Sequence, residues 1–210
     1  MYSILLSAGW PIWPLLIISI IGLAIAIERS WYLRQTHIFP AGLLESVFTL
    51  AHQLPHQKIS DAHLERLINQ SPASALLTCA LQEKLAGNSA QSALEELQAL
   101  AQTTWLKFDR YLGILATIAT IAPLLGLFGT VVGMIEIFGS QGAINGAGSP
   151  QQLAHGISVA LYNTAFGLLI AIPALASWRA LRAMANQRQR ECEEFTRQLF
   201  KTLFPADTAS

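Results

Sequence analysis

The chain has 210 residues, 52% hydrophobic and 12% charged, where an average soluble domain is roughly one-quarter charged. Its 13 Lys and Arg balance 13 Asp and Glu, so bulk charge offers a nucleic acid nothing to bind. This excludes an ordinary soluble domain and describes a membrane protein with a modest aqueous part. The first apolar run is Trp13–Ile27, extended upstream by Ile4–Trp10. No Lys or Arg precedes it, whereas a cleaved signal peptide wants a basic start, so a retained helix is expected. Pro11 and Pro14 fall at its beginning, where a missing N–H does least harm.

The connector that follows reads as short helices. Ser60 is a candidate N-cap. Ser71-Pro72 looks like an N-cap followed by Pro at the first helical position. Gly87-Asn88 looks like a stop, and Ser89 can cap the next helix. From Ala90 to Gly139 only Pro123 interrupts the helical pattern, in which Leu94, Leu97, Ala101, Trp105, Phe108 and Leu112 recur at spacings of three and four. One helix of that length would measure roughly 70 Å, more than twice the bilayer's hydrocarbon core of about 30 Å. Its first half is therefore expected in the cytoplasm. The loop 139–156 is rich in Gly and Ser and reads as a turn. Ser149-Pro150-Gln151-Gln152 forms a capping box with Pro at the first helical position. The third helix should start there and run to about Phe204, before Pro205.

The expected fold is an all-α membrane protein with three transmembrane helices. The second and third extend far into the cytoplasm, and short helices fill the connector. Every Lys and Arg lies in 29–34, 58–110 or 179–201, and none in 1–12 or 139–156. The positive-inside rule then puts the N-terminus outside and the C-terminus inside. The expected segments are 1–12 outside, 13–33 first span, 34–108 cytoplasmic connector and 109–138 second span. They continue with 139–154 outer loop, 155–178 third span and 179–210 cytoplasmic tail.

Enzyme signals are weak. His52 and His56 have ligand-like spacing, but Pro55 intervenes. P-loop, HExxH and GxSxG patterns are absent, and Cys79 and Cys192 lie far apart, so no catalytic residue, cofactor or metal site is expected. In the second span, Gly126, Gly129 and Gly133 form a small stripe that lets helices close in. Thr130 belongs to the same stripe and can bond its own helix's carbonyls or face a watery seam. Glu136 is the one carboxylate well inside an apolar segment. It can reach up to the interface or accept protons at the outer mouth. The third span repeats the pattern with Gly156, Ala160, Thr164, Gly167, Ala171 and Ala174, and adds Ser158, Tyr162 and Asn163. Pro173 deprives the Leu169 carbonyl of its helical donor, so a kink or a water-facing carbonyl is expected.

LGLFGTVVGMIEIF followed by GISVALYNTAFGLLIAIPA resembles the MotA/TolQ/ExbB proton-channel family, on its ExbB/TolQ side. The opening WPIWPLLIISIIGLAIAIERSWYLR, with Glu28-Arg29 near its end, resembles that family's first span. The resemblance implies a subunit of a proton-driven inner-membrane motor. Such subunits form a homo-oligomeric ring, typically a pentamer, around an ExbD/TolR-like single-span partner with a membrane Asp. Movement passes to a TonB- or TolA-like protein acting at the outer membrane. Thr130 and Thr164 match the family's pore-lining threonines. The family's usual glutamate, five residues before the second threonine, is replaced here by Val159. A valine cannot carry a proton, so the resemblance leaves titration to the partner's Asp. Hydroxyls, Ser158, Asn163 and water would line the path, with Glu136 as an outer relay. A non-conducting scaffold for single-span partners is the alternative. A flagellar-stator role expects four spans rather than three.

Overall fold

The computed structural model describes residues 10–53, 61–142 and 150–205. Among the described residues eight helices follow in order: α1 Ile12–Tyr32, α2 Gln35–Ile38, α3 Leu43–Gln53, α4 Asp61–Ile68, α5 Pro72–Leu85, α6 Ala90–Asp109, α7 Leu112–Gly142 and α8 Pro150–Leu203. The described residues contain no strand. Three stretches, in Ile12–Tyr32, Ala90–Gly139 and Gly156–Leu203, are long and apolar enough to cross a membrane. The all-α expectation with three such helices therefore holds.

The helix punctuation follows local chemistry. Ser71 caps α5: its hydroxyl accepts from Ser74 N–H at 3.0 Å, and Ser74 Oγ accepts from Ser71 N–H at 2.9 Å. Pro72, with no N–H to satisfy, begins the helix. Beyond Leu85 the chain turns through Gly87 at φ +74°, a conformation glycine adopts without a Cβ penalty. Ser89 Oγ accepts from Ser92 N–H at 3.2 Å and opens α6. α8 starts at Pro150 and ends at Leu203, before Pro205. The candidate caps at Ser60 and Ser149 lie outside the described residues.

The unbroken helix expected from Ala90 is two helices. α6 ends at Asp109, Arg110 turns extended (ψ 134°), and Tyr111 takes φ +65°. A left-handed non-glycine residue costs about 1–2 kcal/mol, so neighbours must hold the break. Lys107 O, whose helical donor would be Tyr111 N–H, accepts instead from Arg29 Nη1 at 3.0 Å. Arg29 is buried and also lies 4.7 Å over the Tyr32 ring.

The chain forms two compact units, Met1–Glu28 with Tyr111–Ala180, and Arg29–Arg110 with Leu181–Ser210. In the first unit, Leu15 of α1 packs with Ala122 and Ala171, backed by Ile18, Leu125, Phe166 and Ile170. In the second, α5 packs against α2, α3, α4 and α6. It buries Ala73, Leu76, Leu77, Ala80 and Leu81 on one face, within an arc of about 140°.

Candidate functional site

The site grows from the pairing of α7 with α8. A Cβ added to Gly126 would stand 2.7 Å from Asn163 O and 3.2 Å from Gly167 Cα. One added to Gly167 would stand 2.7 Å from Ala122 O and 3.1 Å from Gly126 Cα. Backbone therefore meets backbone, and no other residue fits at either position. At Gly129 the neighbour is the Asn163 side chain, with Cβ and Cγ both 2.8 Å away. Gly133 faces Ala160 at an ordinary 3.6 Å. The helices thus lie closest at Gly126–Gly167 and leave slightly more room toward Gly133. Pro123 lies within α7 beside this closest approach, and Pro173 within α8 below it.

Asn163 is buried at 1% exposure between the two helices. Thr164 is half-buried, and its hydroxyl lies 3.4 Å from Gly126 O across the interface, a long hydrogen bond. Thr130 is half-buried and donates to Leu127 O of its own helix at 2.7 Å. Such back-bonding makes a hydroxyl inexpensive in an apolar setting.

At 100° per residue, α1 and the threonines take opposite flanks of the α7–α8 seam. On α7, Ile118, which lies against Gly22 of α1, is about 80° to one side of Gly126, and Thr130 about 40° to the other. On α8, Phe166 on the α1 side is about 100° from Gly167, and Thr164 about 60° the opposite way. Thr130 and Thr164 therefore share the flank that α1 leaves uncovered.

The remaining sequence candidates do not join them. Ser158 is exposed, sits about 120° around α8 from Thr164, and donates to Ala154 O at 2.9 Å. Its nearness to Asn163 and Thr164 is one of sequence, not of face. Tyr162 is exposed at 40%. Glu136 is exposed and about 120° around α7 from Thr130, with no ion pair among the described residues. Val159 lies in α8, but its side chain is outside those described. Cys79 and Cys192 are unbridged thiols. Burial pushes Cys79 up to about 11 and Cys192 up to about 12, with Glu83 beside the first and Glu191 beside the second adding to the effect.

Residues 68–194, more than half of the chain, match the MotA/TolQ/ExbB proton channel family. The chain belongs to this family. Among curated relatives, the biopolymer transport protein exbB1 of Vibrio cholerae is 41% identical over 104 residues, 47% of this chain and 46% of its own length. A putative biopolymer transport protein, ExbB-like 1 of Synechocystis, is 30% identical over 187 residues, 87% of this chain and 71% of its own. The Tol-Pal system protein TolQ of Haemophilus influenzae is 38% identical over 96 residues, covering 43% and 41%. The match thus spans less than half of the Vibrio and Haemophilus proteins. With its three apolar helices, this MotA/TolQ/ExbB member is a multi-pass membrane protein. The region shared with the family contains the glycine contacts and both threonines.

Proposed function

We propose that the protein is the ring-forming subunit of an ExbB/TolQ-like motor driven by the proton-motive force in a bacterial inner membrane. The observation that carries this reading is the pair of threonines, Thr130 and Thr164, on the uncovered flank of a glycine-locked helix pair. A partner's single helix could lie along that flank with hydroxyls at mid-depth. Several copies of the chain, in a pentamer, would surround an ExbD/TolR-like partner whose membrane Asp titrates. The partner's motion would pass to a TonB- or TolA-like protein acting at the outer membrane. The N-terminus is outside and the C-terminus inside, following the basic residues.

Thr130 and Thr164 line the path, and Asn163 holds the seam behind them. Ser158 is left out of the lining, because its hydroxyl is bound to Ala154 O on another face. Glu136, near the outer end of α7, is left out as well, because it lies about 120° around that helix from Thr130. The test is Thr164→Val, which keeps the side chain's shape. Uptake or envelope function powered by the proton gradient should fall at least tenfold while the oligomer still assembles. Wild-type activity in both Thr130→Val and Thr164→Val would remove the lining from the account. Val159, in place of the family's usual glutamate, favours one other reading, a non-conducting scaffold. A scaffold predicts that an uncoupler leaves the protein's function unchanged.

A further inference from the structure

A second feature lies on the opposite flank of the same helices. A crevice of about 390 Å³ runs between α1, α7 and α8. Its walls are apolar, formed by residues such as Leu16, Leu23, Ile118 and Ile170. Two polar groups break them. Ser19 and Ser177 line the crevice, and neither hydroxyl has a hydrogen-bond partner among the described residues. This sets them apart. Thr117, Thr120, Thr130 and Ser158 in the same unit all bond carbonyls of their own helix. Polar groups left unsatisfied in hydrocarbon cost several kcal/mol each by order of magnitude, so two on one crevice call for a partner that can bond them.

The crevice also has a way in. Its lower end lies at Ser177, followed directly by Trp178 and Arg179, and at Ala26, three residues before Arg29. From Ser177 to Phe166 along α8 is about 16 Å, half of a hydrocarbon core of about 30 Å. At about 30 Å³ per molecule, the volume holds on the order of ten waters.

We propose that this crevice is a hydrated inlet, carrying water from the cytoplasmic end of each subunit to mid-membrane. Ser177 and Ser19 are its hydrogen-bonding steps. Lipid tails fill apolar grooves but cannot satisfy these groups, and water can. The inlet is separate from the threonine-lined flank and lies within a single chain. Its opening to the cytoplasm and its use as a route for protons rest on the proposed function, and water in the crevice can be measured without any transport.

The experiment is thiol labelling with a charged, membrane-impermeant methanethiosulfonate applied from the cytoplasmic face. The protein carries Cys79→Ser and Cys192→Ser and is assembled in membranes. The reagent reacts with a thiolate, which forms only where water reaches. Ser177→Cys should react at least tenfold faster than Ile172→Cys, whose parent side chain is 67% exposed on the apolar outer surface. Ser19→Cys should also exceed Ile172→Cys, at a rate below that of Ser177→Cys. Adding Gly22→Leu, which extends a side chain beside Ile118 in the crevice, should slow Ser19→Cys and spare Ser177→Cys. Equal rates at all three positions would overturn the inlet. So would labelling of Ser177→Cys alone, which would stop water at the interface. A Ser19→Cys rate indifferent to Gly22→Leu would place the water elsewhere and also overturn it. Loss of proton-driven function in Thr164→Val leaves these rates unchanged, so the two ideas fail separately.

Discussion

The α7–α8 interface and the core around α5 solve the packing problem with opposite residues. Around α5, burial belongs to large side chains: Leu76, Leu77, Leu81, Phe108 and Leu199 are at most 2% exposed. Between α7 and α8 the buried residues are Ala122, Gly126, Gly129, Ala160, Asn163 and Gly167. Large apolar side chains there point outward, with Leu124 62%, Ile135 65% and Leu169 64% exposed. In water, apolar area removed from solvent drives assembly, so bulk goes inside. In hydrocarbon that drive vanishes between helices, and close backbone approach takes over. Burial of bulk is thus a poor guide to importance at the α7–α8 interface and a good one around α5.

The contrast breaks first at the glycines. Gly126→Val should abolish recovery of folded protein in detergent, because its side chain would strike the α8 backbone. Gly133→Ala, with 3.6 Å of room, should keep the wild-type melting temperature within a few degrees. Equal tolerance at both would mean that the close approach does not hold the pair. Next in size is Leu81→Ala in α5, which should cost about 2–5 kcal/mol, read as a lowered unfolding midpoint of the second unit.

A third variant should act in the other direction. The Thr78 hydroxyl is buried and has no hydrogen-bond partner among the described residues. Thr78→Val keeps the shape and removes the orphan, and should raise stability by about 1 kcal/mol. A drop would reveal a bond that this hydroxyl makes. A last effect is alkaline. Cys79 and Cys192 titrate near 11 and 12 in the fold, against an ordinary 9.0. The folded state holds these protons longer than the unfolded chain. Their contribution is present below pH 9 and is lost as pH rises from there through 11 and 12. Cys192→Ala should flatten that decline in a denaturation series between pH 8 and 11. An unchanged slope would assign the decline to other groups.

Much of this was legible in the sequence where chemistry is local. Caps at Ser71 and Ser89, the turn at Gly87 and the stop before Pro205 depend on residues within four positions of each other. The break at Arg110-Tyr111 was not legible. No Gly or Pro marks it, and the group that takes the Lys107 carbonyl is Arg29, 78 residues away. At the candidate site, the glycines and threonines could be read as a stripe. Which threonines share a flank could not, because that depends on where α1 packs. Ser158 shows the commonest error of linear reading: six residues separate it from Thr164, which turns it about 120° away on a helix. The unbonded Ser19 and Ser177 were equally hidden. A serine's letter does not tell whether its hydroxyl bonds its own helix or the space beside it.

The Gly126–Gly167 approach has one more consequence. The hydrogen that each glycine carries in place of a Cβ points at a carbonyl of the other helix, Asn163 O in one direction and Ala122 O in the other. Reciprocal Cα–H···O contacts of this kind are weak singly, but they fix both the rotation and the sliding of one helix against its mate. The segments 122–133 and 160–167 therefore behave as a single stiff element. If the protein works by turning or rocking, this hairpin is a spoke, and the bearing surface lies on its outer flanks.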